Sequence, residues 1–296
     1  MSSNNVLVKS LTNDQNFRVY ALNATEVVKE AQKGHEMFGT STAALGRTLV
    51  ASLLLANSVL KGKETMTVRL NGQGPVGFMI VDADAHGNVK GYVQKPQVNL
   101  PLTEDGEVDV ATAVGTDGFL EVLKNQGGEE PYTSSVPLAS GKIGDDFTYY
   151  LAMSEQIPSV VGVSVEVNEN NEVEVAGGFL IQAMPGAADE AITALEGKLK
   201  EIPTISDMLK ADANPENILD HLFGKSNLKI VEELPIAFTC DCSKAKFAGD
   251  IARISKDDLE QIISEDHGAE VVCNFCGSKY NFSEDELVKI LEEKEK

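Results

Sequence analysis

Four cysteines near the C-terminus are the residues in this sequence with the clearest capacity for chemistry. They form two pairs, Cys240-Asp-Cys242 and Cys273-Asn-Phe-Cys276, separated by thirty residues, whereas residues 1–239 contain no cysteine. In a reducing compartment, cysteines clustered in this way form a metal or redox site more often than structural disulfides. Two such pairs can supply the four thiolates of a tetrahedral Zn²⁺ site. The sequence therefore predicts one zinc site with Cys240, Cys242, Cys273 and Cys276 as its ligands.

The spacing within each pair leaves open whether this site is permanent or switchable. Most tetrathiolate zinc sites are structural, which favours a permanent cross-link with no further role. The Cα atoms of a C-x-C pair in extended chain are about 6.6 Å apart by strand rise, and those of a C-x-x-C turn lie within roughly 7 Å. Each pair is thus near the range in which a disulfide forms, and a strained C-x-C disulfide is readily reduced. Because oxidation would consume all four ligands, a reversible redox switch is the alternative to a permanent site.

Short elements predicted around the cysteines make up a small α/β module. Ser255 and the capping box Ser283-Glu-Asp-Glu286 mark the first turns of two helices that carry apolar side chains. Lys244, Lys246 and Lys279 follow the two cysteine pairs and could offset the net negative charge that four thiolates leave on Zn²⁺. The pattern predicts a module that is cross-linked by its metal.

The composition is that of a folded protein with a strongly acidic character. The 296 residues are 42% apolar and 24% charged, and 25 Lys and Arg against 46 Asp and Glu give a formal charge of −21. Such a charge repels nucleic-acid phosphates and anionic membranes, so neither is expected as a partner. The N-terminus lacks the basic and apolar regions of a secretory signal, which predicts a cytoplasmic protein. The longest apolar stretch, Ala43–Leu60, is interrupted by polar residues and is predicted to be a buried helix.

Residues 5–184 mix strand and helix patterns, which predicts an α+β domain with antiparallel sheets. Val160–Val167 and Glu172–Ala183 are expected to pair across the polar turn between them. Thr25 and Asp145 are expected to cap the helices that follow them.

Past residue 184 the pattern changes to short acidic helices. Asp189–Lys200 and Asn214–Gly224 have apolar faces, and the second has a cap residue, a proline near its start and a terminal glycine. Helices this short are marginal in water, so they hold their shape by packing an apolar face on a neighbour. The segment is therefore either an ordinary helical connector or a region whose order depends on that packing.

At the cysteine pairs the chain closely resembles the 33 kDa chaperonin family, the redox-regulated heat-shock holdases. That family carries C-x-C followed, after a similar spacing, by C-x-x-C, and both pairs are complete here. The likeness extends over essentially the whole chain. The segments that carry it are Ser41–Thr48, Gly144–Tyr150, Ser154–Pro158 and Gly177–Gly186.

The resemblance implies a division of the chain and a mechanism. It implies an α/β core for client binding and dimerisation at 1–184, a metastable helical linker at 185–231, and a zinc-binding redox-switch domain at 232–296. It implies an ATP-independent chaperone for unfolded or oxidatively damaged client proteins, with one Zn²⁺ per chain in the inactive reduced form. Oxidation would form the disulfides Cys240–Cys242 and Cys273–Cys276, release the metal, unfold the linker and give an active homodimer.

Other functions agree less well with the residues. A zinc-ribbon interaction protein that binds nucleic acid would need a basic module, but residues 233–296 contain eight Lys and Arg against fifteen Asp and Glu. A thiol-disulfide oxidoreductase would need C-x-x-C at the start of a helix, whereas Cys276 precedes a glycine and a strand-like stretch. No nucleotide-binding or hydrolase motif is found, so no enzyme activity is expected. Asp82, Asp84 and His86 are expected to form a polar turn rather than a metal site.

Overall fold

The computed structural model describes residues 5–128 and 130–294. The chain divides into two compact units, Met1–Thr239 and Cys240–Lys296. The larger unit contains two sheets and a long helix, and the smaller unit contains the four cysteines. The α+β fold class with antiparallel sheets is confirmed.

Strands and helices are interspersed along the chain. The strands are β1 (Val6–Thr12), β2 (Phe17–Asn23), β3 (Thr65–Asn71), β4 (Phe78–Asp84), β5 (Asn88–Val93), β6 (Phe119–Asn125), β7 (Tyr132–Pro137), β8 (Ser159–Val167), β9 (Val173–Ala183), β10 (Leu228–Pro235), β11 (Ala237–Phe238), β12 (Gly268–Val272) and β13 (Lys279–Ser283). The α-helices are α1 (Thr25–His35), α2 (Gly39–Val59), α3 (Val110–Val114), α4 (Ile143–Tyr150), α5 (Asp189–Leu199), α6 (Ile205–Ala211), α7 (Glu216–Phe223), α8 (Lys244–Ile251), α9 (Lys256–Asp266) and α10 (Glu284–Lys294). A π-helical turn, Leu151–Glu155, continues α4, and a 3-10 turn, Lys225–Asn227, follows α7.

Two sheets pack against the long helix α2 in the larger unit. The first sheet has the strand order β10-β1-β2-β9-β8, and the second has the order β11-β5-β4-β3-β6-β7. Neighbouring strands are antiparallel except for β11 and β5, which are parallel. Helix α2 contacts strands of both sheets, so its side chains join the main apolar core. The predicted pairing of Val160–Val167 with Glu172–Ala183 is confirmed by β8 and β9.

Helix α2 is apolar on most sides because it is buried on most sides. Among the described residues, it is the one helix long and apolar enough to cross a membrane by length and composition, and 83% of its apolar window is buried inside the protein. A Cβ added at Gly46 would lie 2.8 Å from Cγ1 of Val28 in α1, so the glycine allows α1 and α2 to approach closely. The buried helix predicted at Ala43–Leu60 is confirmed.

The predicted helix caps at Thr25 and Asp145 are wrong. Helix α1 begins at Thr25 itself, and the Thr25 hydroxyl donates to Asn23 Oδ1 at 2.7 Å instead of accepting from an amide of the first turn. Helix α4 begins at Ile143, which puts Asp145 inside the first turn. Asp146 Oδ1 accepts hydrogen bonds from three backbone amides of the preceding loop. In both places the helix begins at or before the predicted cap residue, and its N-cap residue makes no side-chain hydrogen bond to the first turn.

Helices α5, α6 and α7 dock on the first sheet, on the face opposite to α2. Alternate residues of β2 and β9 form one apolar cluster with these helices. The buried side chains that α6 and α7 contribute are Met208, Leu209, Ile218, Leu219 and Leu222. Helix α5 contributes only partly buried side chains, so it is the least firmly held of the three. Helix α6 was not predicted, because seven residues are too few to show a helical period.

Polar contacts also fix helix α6 to this sheet. The Ser206 hydroxyl lies 2.8 Å from that of Ser164 in β8. Lys210 pairs with Glu166 of β8 and, at 2.9 Å, with Glu174 of β9. Exposed ion pairs contribute about 0–1 kcal/mol each, so the apolar cluster accounts for most of the docking.

The structural boundary differs from the one predicted at residues 231 and 232. Strand β10 pairs with β1, and β11 pairs with β5, so residues 228–238 belong to the sheets of the larger unit. The division between the units falls after Thr239. The partners of β10 and β11 lie far away in the sequence, and no local pattern indicates such a pairing. The functional roles assigned to the three segments remain predictions.

Candidate metal centre

The smaller unit has a very small apolar core. The hairpin of β12 and β13 packs with α8, α9 and α10. The buried apolar side chains of its cluster are Ile251, Leu259, Phe282 and Leu287. A core of this size contributes little stability by itself, and small domains commonly add a metal or disulfides.

The helices beside the cysteines begin at the predicted caps. Ser255 Oγ accepts a hydrogen bond from Asp258 N at 3.2 Å. Ser283 N donates to Glu286 Oε2 at 2.9 Å, while Glu286 N donates to Ser283 Oγ at 3.3 Å, which confirms the predicted capping box. Ser255 thus caps α9, which follows α8, and the capping box opens α10, which follows β13.

Each cysteine pair lies at a point where the backbone direction is fixed. Cys240 and Cys242 directly precede Ser243, whose hydroxyl caps α8. Cys273 and Cys276 form the turn between β12 and β13, where Gly277 N donates to Cys273 O at 2.8 Å. Gly277 has φ +72°, a left-handed conformation that favours glycine. The C-x-x-C pair therefore lies in a hairpin turn and not at a helix N-terminus, which is where a thioredoxin-like thiol is activated.

The fold brings the four cysteine sulfurs together, although the two pairs are far apart in the sequence. All four Sγ atoms lie within 4.8 Å of one another. Cys240 Sγ is 3.7 Å from Cys273 Sγ, and Cys242 Sγ is 3.4 Å from Cys276 Sγ. Four sulfurs at 2.3 Å from a tetrahedral zinc ion are about 3.8 Å apart. The four free thiols thus have the spacing of a tetrathiolate shell and could hold a metal ion.

Two hydroxyl groups that sequence analysis missed contact these sulfurs. Tyr280 Oη lies 3.2 Å from Cys242 Sγ, and Ser278 Oγ lies 3.2 Å from Cys276 Sγ. The signal for them was their position two and four residues after the last cysteine, with Ser278 just before β13 and Tyr280 within it. Contacts of this kind are typical of the residues that orient and tune metal ligands.

The pKa values of the thiols reflect how closely they are packed. Burial raises the pKa of Cys240 to about 12 and also raises the pKa of Cys273. Burial opposes ionisation of Cys276 as well, but hydrogen bonds from Ser278 and the neighbouring thiols lower its pKa to about 7. Burial thus disfavours thiolates at Cys240 and Cys273 unless a cation is nearby, and a divalent metal ion would supply that charge.

Carboxylates pair with the lysines that were expected to offset the thiolate charge. Lys244 lies 2.6 Å from Glu286, and Lys246 pairs with Asp241. Lys279 lies 3.5 Å from Glu270 in the facing strand. Their charges are therefore largely compensated, so the hydroxyl contacts are the more direct support for the sulfurs.

The acidic turn at β4 and β5 does not form a second metal site. Asp84 Oδ1 accepts hydrogen bonds from His86 N at 2.8 Å and Asn88 N at 3.0 Å, which confirms a polar turn. Asp82 accepts instead from the Thr67 hydroxyl. Within residues 5–128 and 130–294, the cysteine cluster is the one group of three or more His, Cys, Asp or Glu side chains that could hold a metal.

The chain thus combines an α+β unit with a small unit in which four thiols could hold a metal ion. These features place it among proteins with a thiolate metal centre in a small separate unit. The sequence model of the Hsp33 protein family matches residues 5–283. The 33 kDa chaperonin of Levilactobacillus brevis is 56% identical over 287 residues, which are 97% of each chain. That of Lactiplantibacillus plantarum is 54% identical over 96% of each chain. The chain belongs to the Hsp33 family.

A solved structure agrees with this assignment. The crystal structure of the 33 kDa chaperonin of Thermotoga maritima matches with a TM-score of 0.91 and 35% sequence identity, and 99% of each chain is covered. Family membership supports a chaperone role, which implies binding of client proteins.

Proposed function

We propose that this chain is a redox-regulated, ATP-independent holdase that protects unfolding and oxidatively damaged proteins from aggregation. Membership of the Hsp33 family supports the chaperone role. The observation that carries the redox part is the convergence of four free thiols within 4.8 Å. The reduced, metal-bound chain is the inactive state, and the oxidised chain is the active one.

The four cysteines would hold one Zn²⁺ per chain in the reduced state. The donor set suits this ion, because thiolates are ligands that it prefers and the sulfurs have the spacing of a tetrahedral shell. When bound, zinc supplies the positive charge that keeps four thiolates together, and this cross-links the two cysteine pairs. Because its apolar core is so small, the unit would depend for its stability on the metal that the four thiolates hold.

Oxidation by a peroxide converts the four thiolates into two disulfides. A thiolate attacks a peroxide oxygen, so that an S–O bond forms, the O–O bond breaks, and the departing hydroxide takes up a proton to give water. A second thiolate attacks the same sulfur, the S–S bond forms, and hydroxide leaves and is protonated to a second water. Each disulfide therefore consumes one peroxide and two protons. Two disulfides leave no thiolate that can bind a metal.

The proposed disulfides join Cys240 to Cys242 and Cys273 to Cys276. The short Sγ–Sγ distances of 3.7 and 3.4 Å join opposite pairs, but all four atoms are within 4.8 Å, so either pairing is in reach. Once the unit loosens, the pairs separate, whereas cysteines within one pair stay close because short loops cost less entropy to close. Mass spectrometry of digested, oxidised protein tests this pairing. Disulfide-linked peptides that join the two pairs would contradict it.

The roles of the three segments follow from this switch. Residues 1–184 bind clients and dimerise, residues 185–231 are the metastable linker, and residues 232–296 are the redox switch, with a homodimer as the active form. The docked apolar faces of α5, α6 and α7 support a linker that can release surface for clients. A cytoplasmic location without nucleic-acid or membrane partners agrees with the net charge of −21.

Zinc content measured beside an aggregation assay tests the proposed function. Reduced protein should contain one zinc per chain and fail to suppress aggregation of an unfolding client. After peroxide treatment, the protein should have lost the zinc and should suppress aggregation. Equal suppression by the reduced, zinc-bound protein would contradict redox control.

We predict that aggregation is suppressed without ATP. No glycine-rich phosphate loop with its lysine is found in the sequence, and exposed apolar surface is sufficient to hold an unfolded chain. Light scattering of a thermally unfolding client, with oxidised protein and with or without ATP, should give the same curves. A client-release rate that rises with ATP in the absence of other chaperones would refute the prediction.

We predict that Leu219→Ala activates the reduced protein in part. Leu219 lies in α7 and is 0% exposed in the cluster that docks the helices on the first sheet. Truncating a buried leucine costs about 2–5 kcal/mol, a large amount for a helix this short. The reduced variant should keep its zinc and yet suppress aggregation measurably without peroxide. His221→Ala, on the exposed side of the same helix, is the control and should stay inactive. An inactive reduced Leu219→Ala with increased amide exchange in α7 would show that undocking is not sufficient.

A further inference from the structure

Tyr280 places a hydroxyl group directly against a cysteine of the metal centre. Its Oη lies 3.2 Å from Cys242 Sγ and 3.2 Å from Cys242 O. A phenolic hydroxyl has one proton, so it donates to one of these acceptors at a time. A thiolate carries a charge, and hydrogen bonds to charged acceptors are stronger than those to neutral ones. The hydroxyl is therefore placed to donate to Cys242 when that sulfur is a thiolate.

The strand that carries Tyr280 explains why its ring is there but not why it has a hydroxyl. In β13, Tyr280 lies on the same face as Phe282, two residues on, which is part of the apolar cluster. The ring of Tyr280 packs against Phe247 of α8, with 5.2 Å between ring centroids. A phenylalanine would provide the same packing. The hydroxyl is an addition that the apolar core does not require, and its partner is Cys242.

The hydroxyl contacts fall on one half of the cysteine cluster. Ser278 Oγ lies 3.2 Å from Cys276 Sγ, and Tyr280 Oη contacts Cys242 Sγ. The Sγ atoms of these two cysteines are 3.4 Å apart, closer than those of Cys240 and Cys273, which are 3.7 Å apart. The sulfurs of Cys242 and Cys276 are thus each approached by a side-chain hydroxyl.

We propose that Tyr280 is a positioning residue that sets how readily the cysteine centre reacts with peroxide. A hydrogen bond draws charge from a thiolate and so lowers its nucleophilicity, and it also holds the sulfur in place for the metal. Loss of such a partner typically weakens metal binding by about 10–100-fold. This inference rests on the proposed function, because it assigns the hydroxyl a role in the same redox step. When Cys242 is the attacking thiolate in that step, the hydrogen bond donated by Tyr280 must weaken before the S–O bond forms.

The test compares Tyr280→Phe with the parent chain at full length. A colorimetric zinc chelator reports release of the metal after a fixed dose of hydrogen peroxide, and a second series without peroxide gives the zinc affinity by competition. We expect peroxide-driven release to be about tenfold faster, and zinc affinity to be about 10–100-fold weaker. Tyr132→Phe removes an exposed tyrosine hydroxyl in the larger unit and should change neither value.

A second variant separates the hydroxyl from the packing of the ring. Phe247→Leu disturbs the ring contact but keeps the Tyr280 hydroxyl, so it should lower thermal stability with little change in the rate of peroxide-driven release. Unchanged rates in Tyr280→Phe with stoichiometric zinc would overturn the inference. Equal loss of zinc in both variants would also overturn it, since the role would then be packing alone. A parent chain that binds no zinc would instead refute the proposed function itself.

Discussion

Replacing Cys273 with serine is expected to abolish stoichiometric zinc binding and to unfold the smaller unit, while the larger unit stays folded. Cys273 is the most buried of the four cysteines, at 5% exposed, and its sulfur lies 3.7 Å from that of Cys240. A serine hydroxyl does not replace a thiolate ligand. Metal binding provides on the order of 10 kcal/mol of folding free energy in small zinc modules. A core of four buried apolar side chains is too small to keep this unit folded without that contribution.

Elemental analysis of the purified variant and its amide-exchange pattern measure this result. Ser264→Ala, an exposed substitution on α9 of the same unit, is the control and should keep one zinc per chain. Cys276→His offers a nitrogen ligand in place of sulfur and should retain weaker binding, because three thiolates and one imidazole also form zinc sites. Stoichiometric zinc in Cys273→Ser would show that the ligand assignment is wrong.

The features predicted correctly from the sequence are those that depend on neighbouring residues. The capping box of Ser283 and Glu286, the pairing of β8 with β9, and the burial of α2 all follow from local spacing or composition. The cysteine cluster was predicted for a different reason. Four thiols that lie in two short pairs, with none elsewhere, have few other uses in a reducing compartment.

The features that were missed depend on residues far apart in the sequence. Strand β10 pairs with β1, which lies at the other end of the larger unit's sequence; Val6, for example, is opposite Pro235. The sequence of β10 is acidic and mostly exposed, and by itself it gave no sign of a sheet. The Tyr280 contact joins residues 38 apart and appears only when the hairpin folds against the first cysteine pair. Tertiary contacts decided both of these cases. The cap predicted at Thr25 failed for a local reason, because helix α1 begins at Thr25 itself and the Thr25 hydroxyl donates to Asn23, two residues earlier.

Oxidation is expected to remove amide protection from residues 187–230 together with the smaller unit, while the core strands keep most of theirs. Helices α6 and α7 bury apolar side chains on the first sheet, but α5 has no fully buried residue, so the segment is held by few contacts. These helices are too short to persist once undocked. Their release would expose the apolar cluster that can hold unfolding clients.

The path along the chain suggests the order in which protection is lost. Between α7 and Cys240 the chain forms β10, which is largely exposed, and β11, which pairs with β5 through only Ala237 and Phe238. Between α7 and Cys240, Ile236 is the one well-buried residue, at 3% exposed. We expect β11 and β10 to lose protection first, α5 next, and α6 and α7 last, because burial increases in that order toward the apolar cluster.

Hydrogen exchange before and after peroxide, on the full-length protein, measures both the extent and the order of this release. Peroxide also oxidises exposed methionines such as Met153, at 58% exposed, so a control must lack the cysteines. A chain with all four cysteines replaced by serine should show low protection in residues 187–230, and suppress aggregation, even before peroxide is added. Further loss on peroxide treatment of that chain would point to methionine. Full amide protection of residues 187–230 in an oxidised, fully active protein would contradict the proposed coupling between the smaller unit and the preceding helices. The smaller unit would then act as the switch by itself.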